Sequence, residues 1–339
     1  MFQFLLIGWG LVAATAGCGR SAGGSVRSAP DQVVLVVGEG VPPAAADRIE
    51  RALAGPASGI CPEPALRIER LPASRLNEAK SRRNVLLLAN LAVPGGAALA
   101  AREALSSGDA GSAGVGAFFV RRDVWAPGQA VTVIPGGDAQ AVLSIVEERS
   151  EKIRDTLIAV ARELIGLDLY RDGEEKTTNG GLAERLGWSV RIPARGWTVD
   201  RSHEAEGLVR VTSSDHAQEL LVAWSAPDST RFSQEGAFGL ADELAARTGL
   251  AGRVDRNATA AVSGTYLGRR ALLVSGAWAD GSARGPLDLV IFLDPGLARL
   301  FAIERCVVSS GEGQKLRQWE LDALAATFRL VEKGHAPAG

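Results

Sequence analysis

The sequence has few of the residues that build metal centres, disulfide frameworks and nucleophilic sites. It contains three cysteines, three histidines and one methionine in 339 residues. His203, His216 and His335 do not form a metal-ligand spacing. The sequence contains no phosphate-binding P-loop, and its G-x-S-x-G match, Gly19 to Gly23, lies in a Gly/Ser-rich stretch without the strand and helix that a nucleophile elbow needs. It therefore predicts no metal and no cofactor, and it offers no catalytic residue.

An excess of positive charge is also absent. Lys and Arg number 37 against 39 Asp and Glu, which gives a net charge of −2. Because nucleic-acid-binding proteins neutralise phosphates with basic surfaces, we expect no nucleic-acid partner. The 46% hydrophobic content excludes a globally disordered chain. At roughly 150 residues per domain, the length predicts two domains.

The N-terminus carries an apolar run that is short for a membrane span. Residues 2–17 are apolar except for Gln3, whereas a transmembrane helix needs about 20 such residues. This pattern predicts a signal peptide over residues 1–17. The run ends in ATAGC, which resembles the lipobox of bacterial lipoproteins and implies a lipid, such as palmitate, on Cys18. An ordinary cleaved signal peptide followed by a chance cysteine is the alternative.

The residues after Cys18 predict where the protein resides. Residues 18–30 include the Gly/Ser-rich stretch GRSAGGSVRSAP, which is typical of a flexible tether. Gly19 is not the Asp that retains similar lipoproteins at the inner membrane. We therefore expect an envelope protein that is lipid-anchored to the outer membrane and faces the periplasm. The membrane is the expected partner, together with an envelope protein. In that oxidising compartment Cys61 and Cys306 either form an interdomain disulfide or, as we expect, remain thiols.

Residues 31–168 alternate between strand and helix patterns. VVLVV (33–37), LRIERL (66–71) and NVLLLANLA (84–92) read as strands, the last of them central. Ala126-Pro127-Gly128-Gln129 fits a type II turn between the strands AFFVRRDVW and AVTVI. Asp138 is predicted to cap a long helix. Its buried face is predicted to contain Val142, Val146, Ile153, Leu157, Val160 and Leu164. The order β-α-β-α-β-α-β-β-α predicts an N-terminal α/β sandwich.

A polar linker is predicted over residues 169–181, before a second domain over 182–332 and a disordered tail over 333–339. In the second domain strands are expected near 207–212, 219–225, 258–267, 271–278, 287–293 and 300–308, with helices over 233–248 and near the C-terminus. A mostly antiparallel sheet with helices covering one face follows. The fold class is thus mixed α+β and α/β in two domains. The opening IP-x-x-GW strand and the closing TF pair resemble the PsbP-like α/β/α sandwiches.

The order of these segments also resembles an uncharacterised bacterial lipoprotein family, catalogued as domain of unknown function 4837. Arg83-Asn84-Val85-Leu86 and the RDVWA segment with Gln129 carry the resemblance in the first half. Gly276-Ala277-Trp278 and Gly285-Pro286 carry it in the second. The resemblance implies an envelope lipoprotein and supplies no catalytic residues.

Arg121, Asp123 and Trp125 form the one cluster that predicts a recognition site. On a continuous strand their side chains share one face, where Arg would bind a carboxylate or phosphate and Trp would be a flat anchor. A cross-strand ion pair, with Trp125 packed on the long helix, is the structural alternative and the one we favour. Gly38-Glu39-Gly40 is half of a phosphate-loop pattern, which we attribute to chance.

Three functions remain open. The first is a non-enzymatic, membrane-tethered binding or scaffolding module. The second is an envelope hydrolase whose catalytic carboxylates are dispersed in the sequence. The third is a sensor whose two domains close on a small ligand. A cavity lined by convergent carboxylates with shifted pKa values would favour an enzyme.

Overall fold

The structure is a computed structural model, and it describes residues 28–57, 61, 63–105, 117–250, 252–281, 283–309 and 312–331. Within these residues the chain is a mixed α+β fold built on two main sheets, as predicted. The predicted signal peptide, Cys18, most of the tether and the tail over 333–339 lie outside the described residues. Of the helices that are described, none combines the length and apolar character needed to cross a bilayer.

The first sheet contains five strands in the order β2-β1-β3-β5-β4. Strand β3 lies at its centre and is buried along its whole length, because helices cover both faces. This confirms the predicted central strand. Only β4 runs antiparallel to its neighbour. The strands are β1 Gln32–Val37, β2 Arg67–Pro72, β3 Asn84–Asn90, β4 Phe119–Arg122 and β5 Ala130–Gly136.

Among the described residues, four helices cover this sheet: α1 Pro43–Leu53, α2 Leu76–Ala79, α3 Gly96–Ala104 and α4 Ala139–Leu169. α1 and α4 pack on one face, and α2 and α3 pack on the other. The Asp138 carboxylate accepts a hydrogen bond from the Ala141 amide at 2.8 Å, which confirms the predicted cap. All six residues predicted for the inner face of α4 are buried. With 31 residues, α4 is about 47 Å long.

The connection to the second half is shorter than the predicted linker over 169–181. A helix, α5 Lys176–Leu186, begins inside that range. The Glu175 side chain caps it by accepting hydrogen bonds from the Thr177 and Thr178 amides at 3.1 and 3.4 Å. Leu182 and Leu186 are buried in the second core. The helix therefore belongs to the second half, because its cap and its apolar face offset the poor helix propensity of its TTNGG segment.

The second sheet is antiparallel, with the strand order β10-β12-β13-β14-β9-β8-β7 and β11 paired to β12. A separate short pair is formed by β6 and β15. The strands are β6 Trp188–Ser189, β7 Trp197–Asp200, β8 Leu208–Ser213, β9 Gln218–Ser225, β10 Arg253–Val254, β11 Ala260–Tyr266, β12 Arg269–Asp280, β13 Ala283–Asp294, β14 Arg299–Val307 and β15 Arg329–Leu330.

Helices cover both faces of this sheet rather than one. α6, Gln234–Thr248, packs on one face, and α5 and α7, Gln314–Ala325, pack on the other. The reason lies in β14. Leu300 and Ala302 face α6, while Phe301 and Ile303 face the opposite core. Because alternate residues of a strand point to opposite faces, two apolar faces need two covering layers.

α7 joins the two halves by packing against α4. Trp319 of α7 is buried in the core of the first half. The Lys315 ammonium lies 2.8 Å from the Asp31 carboxylate and 2.7 Å from the Pro64 carbonyl oxygen. Both charged side chains are only 2% exposed. The long helix therefore contacts both halves of the chain, and a buried ion pair connects the last helix to the start of the first strand.

Candidate ligand-binding site

The predicted Arg121, Asp123 and Trp125 patch does not form. Strand β4 ends at Arg122, and Asp123 adopts a left-handed backbone with φ 53°. That turn breaks the alternation on which a shared face depends. The Arg121 guanidinium lies 5.5 Å from the Phe119 ring, and no ion pair between Arg121 and Asp123 is found in the described part of the chain.

Asp123 instead closes the predicted turn. Its carboxylate accepts a hydrogen bond from the Gly128 amide at 2.6 Å. The Gln129 amide donates to the Ala126 carbonyl at 3.2 Å. Gly128 has φ +76°, a conformation that glycine adopts without steric cost. The structure thus confirms the turn and gives Asp123 a local structural role.

Trp125 packs under α3 rather than on the long helix. It is half-buried against the core that contains α2 and α3. Its indole Nε1 donates to the Glu103 carboxylate at 3.0 Å, and the Lys80 ammonium lies 5.2 Å from the ring. Arg122, and not Trp125, contacts the long helix, through an ion pair with Glu163 of α4.

The Gly38-Glu39-Gly40 segment supplies its own anion. The Glu39 carboxylate accepts hydrogen bonds from the Gly96 and Ala97 amides at 3.1 and 3.3 Å, at the N-terminus of α3. A carboxylate is stabilised there by the free amides and the helix dipole. An external phosphate has no place at this helix end while Glu39 occupies it.

A cavity of about 220 Å³ lies in the second half, between α6 and the ends of strands β12, β13 and β14. Most of its wall is apolar, and a few charged or polar groups converge on it, which is typical of small-ligand sites. The cavity is lined by Ala241, Ala245, Leu250, Gly252, Arg253, Val254, Trp278, Asp280, Ala283, Leu287, Glu304, Cys306 and Val308.

Glu304 is the most unusual residue of this wall. In the sheet it stands between Leu221 of β9 and Leu289 of β13, and its exposure is 0%. Neither carboxylate oxygen has a hydrogen-bond partner among the described residues. Burial, together with the negative charges of Glu219 and Asp242, raises the pKa of Glu304 to about 8. An unpartnered buried carboxyl is costly, so its retention points to a ligand.

Two further carboxylates lie near Glu304, and both have partners of their own. Glu219 is buried, forms an ion pair with Arg210, and has a raised pKa because burial outweighs that pairing. Asp242 of α6 accepts a hydrogen bond from the Val254 amide at 2.8 Å, which fixes β10 against the helix. Both are therefore held in place, and Glu304 is left with its oxygens available.

The thiol of Cys306 shares the wall with Glu304, two residues along β14. Burial raises its pKa well above the ordinary value, and Glu304 adds to this effect. Since the thiolate is the reactive form, this thiol is a poor nucleophile. No disulfide joins Cys306 to Cys61, and both side chains are buried.

Trp278 forms one end of the cavity, and its position is fixed. Its indole Nε1 donates to the Val307 carbonyl oxygen at 2.7 Å. Gly285 pairs with it across β12 and β13. A Cβ atom at Gly285 would lie 2.6 Å from that nitrogen. Glycine therefore leaves the space into which the indole packs.

The sequence carries one signal for this site, in strand β14. The segment FAIERCVV is apolar except for Glu304 and Arg305. Charged residues are almost never fully buried unless they are paired. Arg305 is paired, with Asp288 and Asp322 on the α7 side. A charged residue within a strand covered on both faces therefore marks a position to test for function.

The first half of the chain matches a family described as a domain of unknown function (DUF8532), over residues 29–166. No curated protein sequence matches the chain. The solved structure of the Saccharomyces cerevisiae Ran-binding protein Mog1p is similar at 13% identity and a TM-score of 0.30, with 43% of this chain and 91% of that chain covered. A structure from Bacteroides thetaiotaomicron VPI-5482 is similar at 11% identity and a TM-score of 0.27, with 44% and 47% covered.

The family match overturns the resemblance to domain of unknown function 4837. The first-half segments that suggested it, around Arg83 and the RDVWA turn, lie inside the region that matches DUF8532. Arg83 has a local structural role, because its guanidinium donates to the Leu164 carbonyl at 2.9 Å and pairs with Asp168 at the end of α4. The first half is therefore similar to DUF8532, and the earlier resemblance is wrong.

Proposed function

We propose that this protein is a non-enzymatic binding module whose second half holds a small, largely apolar ligand against Glu304. The observation that carries the proposal is a buried carboxyl group without hydrogen-bond partners in the described chain, in the wall of an apolar cavity of about 220 Å³. Ligand sites combine an apolar wall with a few polar groups that orient the ligand.

The size and position of the cavity favour this function over the envelope hydrolase and the two-domain sensor. Ligand pockets usually measure about 300–1,000 Å³, so this one suits a compact molecule rather than a glycan or peptide polymer. That argues against the envelope hydrolase, although the converging carboxylates would favour an enzyme. The lining residues all lie between 241 and 308. The ligand would therefore bind within the second half and not between two closing domains.

Filling the cavity should abolish binding. Ala245 lines it from α6 and is 8% exposed, so a phenyl ring in Ala245→Phe would occupy the ligand volume. We expect toluene to raise the melting temperature of the wild-type protein and to leave that of the variant unchanged. Ala246→Phe is the matched control, because Ala246 is the next residue on the same helix and is exposed. A toluene response that survives Ala245→Phe would contradict the proposed site.

We also propose that lipid on Cys18 anchors the module to the outer membrane, facing the periplasm. The support is the apolar run ending in ATAGC and the Gly/Ser-rich stretch behind it. Wild-type protein is expected to fractionate with membranes, and Cys18→Ser to lose the lipid. Mass spectrometry of the mature N-terminus measures this directly. A mature chain that starts at another residue would overturn the anchor and leave the ligand site untouched.

A further inference from the structure

We propose that the ligand of this cavity is a small primary amine with an apolar skeleton, bound as an ammonium ion against the Glu304 carboxylate. The inference rests on the binding function proposed above and names the chemical class of the ligand. It follows from the hydrogen-bonding capacity of Glu304, the charges around the cavity, and the composition and size of its wall.

The hydrogen-bonding capacity of Glu304 fits an ammonium group. Both of its carboxylate oxygens lack partners in the described part of the chain. An ammonium carries three N–H donors and no acceptor, so one such group can serve both oxygens. A hydrogen bond between two charged groups is also about twice as strong as a neutral one. A neutral hydroxyl offers one donor and leaves the second oxygen unpaired.

The charges around the cavity favour a cation. Of the carboxylates near Glu304, Glu219 lies on β9 and Asp242 on α6, while Asp280 lines the cavity at the end of β12. Three arginines lie on the same side. Arg210 pairs with Glu219, and Arg256 pairs with Asp242 and Glu235. The third, Arg253 of β10, is exposed. Cys306 of β14 is the remaining titratable group of the wall, and burial favours its neutral thiol. Although Arg253 also lines the cavity, the two charges that act on Glu304 itself, Glu219 and Asp242, are negative, so the position beside Glu304 attracts a cation.

The remaining wall fits the apolar skeleton of the amine. Apart from its charged groups and Cys306, the wall consists of aliphatic side chains, Gly252 and the Trp278 indole. An aromatic ring is compatible with a neighbouring cation. A cavity of about 150 Å³ holds benzene in another protein. The 220 Å³ found here therefore accommodates a benzene-sized ring with a one-carbon amine arm.

Binding of a cation at this position changes the protonation state of Glu304. With its pKa raised to about 8, Glu304 carries a proton at neutral pH. An arriving ammonium ion pairs with the carboxylate, so the Glu304 proton leaves to solvent and about one proton is released per ligand bound. The dissociation constant should therefore fall as the pH rises, by about 50-fold between pH 6 and pH 8.

Calorimetric titration of the full chain with benzylamine and benzyl alcohol tests this inference. The two probes have nearly the same shape, and only benzylamine is a cation in this pH range. We expect benzylamine to bind more tightly as the pH rises from 6 to 8, and to release about one proton at pH 6 and about half a proton at pH 8. That proton count comes from repeating the titration in buffers of different ionisation enthalpy. Benzyl alcohol should bind with the same affinity at both pH values.

Two variants complete the test. Glu304→Gln is expected to weaken benzylamine binding at pH 8 at least tenfold and to abolish its proton release. Glu184→Gln, in an exposed residue of α5, should do neither. If benzylamine binds no more tightly than benzyl alcohol and without pH dependence, the amine inference fails while the binding function stands. If neither probe binds at either pH, both fail.

Discussion

At pH 9 the Glu304→Gln variant is expected to be more stable than the wild-type protein by about 5 kcal/mol, and at pH 4 the two should differ little. The ordinary pKa of 4.5 applies to Glu304 in the unfolded chain, and its pKa in the folded protein is about 8. Between these values the unfolded chain has lost the proton that the folded protein keeps. Wild-type stability should therefore fall as the pH rises through this window.

Urea unfolding at several pH values between 4 and 9 measures this effect. Glutamine keeps the shape of the protonated carboxyl and does not titrate, so the variant removes the contribution of Glu304 alone. Both proteins keep the slopes caused by their other titrating groups, among them Glu219. The exposed Glu184→Gln serves as the control and should follow the wild type. Parallel stability curves for wild type and Glu304→Gln would show that Glu304 ionises normally.

Lys315→Met is expected to destabilise the protein by about 3 kcal/mol, toward the lower end for a broken buried ion pair. Methionine keeps most of the side-chain length, so the main loss is the charge. Asp31 then remains buried with only Arg67 as a charged partner, whose side chain is 55% exposed. Because this ion pair joins α7 to the first half, we also expect the wild-type protein to unfold in one transition and the variant to unfold in two.

Exposed Lys152 on α4 provides the control, since Lys152→Met changes charge by the same amount without breaking a buried pair.

The pH dependence of stability provides a second check. Although burial alone would raise it, hydrogen bonds from Arg67 and Lys315 hold the pKa of Asp31 below its usual 3.8. The contribution of Asp31 to the free energy of unfolding is therefore present above pH 3.8 and is lost as the pH falls further. The loss should be smaller in Lys315→Met. Unfolding identical to wild type would show that the pair does not hold the halves together.

The sequence predicted long regular elements well and irregular ones poorly. The apolar spacing of α4 and the unbroken apolar run of β3 were sufficient to predict these two elements, because each pattern extends over many residues. The prediction for Trp125 failed because a single residue, Asp123, adopts a left-handed backbone and ends the strand. The start of α5 was missed because its TTNGG segment disfavours a helix and only Glu175 compensates for it.

The candidate site could not be predicted from the sequence, because the residues that surround Glu304 come from separate elements. Glu304 and Arg305 are adjacent in the chain but lie in opposite cores, each with its own neighbours. Asp242 comes near Glu304 only because α6 packs across the sheet, and Glu219 only because β9 pairs with β14. The pKa of Glu304 depends on that convergence. The local sequence pattern can identify a charged residue within an apolar strand. Which residues surround that charge is known only from the fold.

The contact between Lys315 and Asp31 also determines when the first half is finished during synthesis. Its sheet and α4 are complete once Leu169 has been made, whereas Trp319 and Lys315 follow about 150 residues later. At about 5–20 residues per second, that interval is on the order of 10 s. Throughout it, the apolar surface that Trp319 later covers is open to water, and Asp31 lacks one of its two cationic partners. That exposed apolar surface makes the incomplete first half prone to association until the last helix arrives.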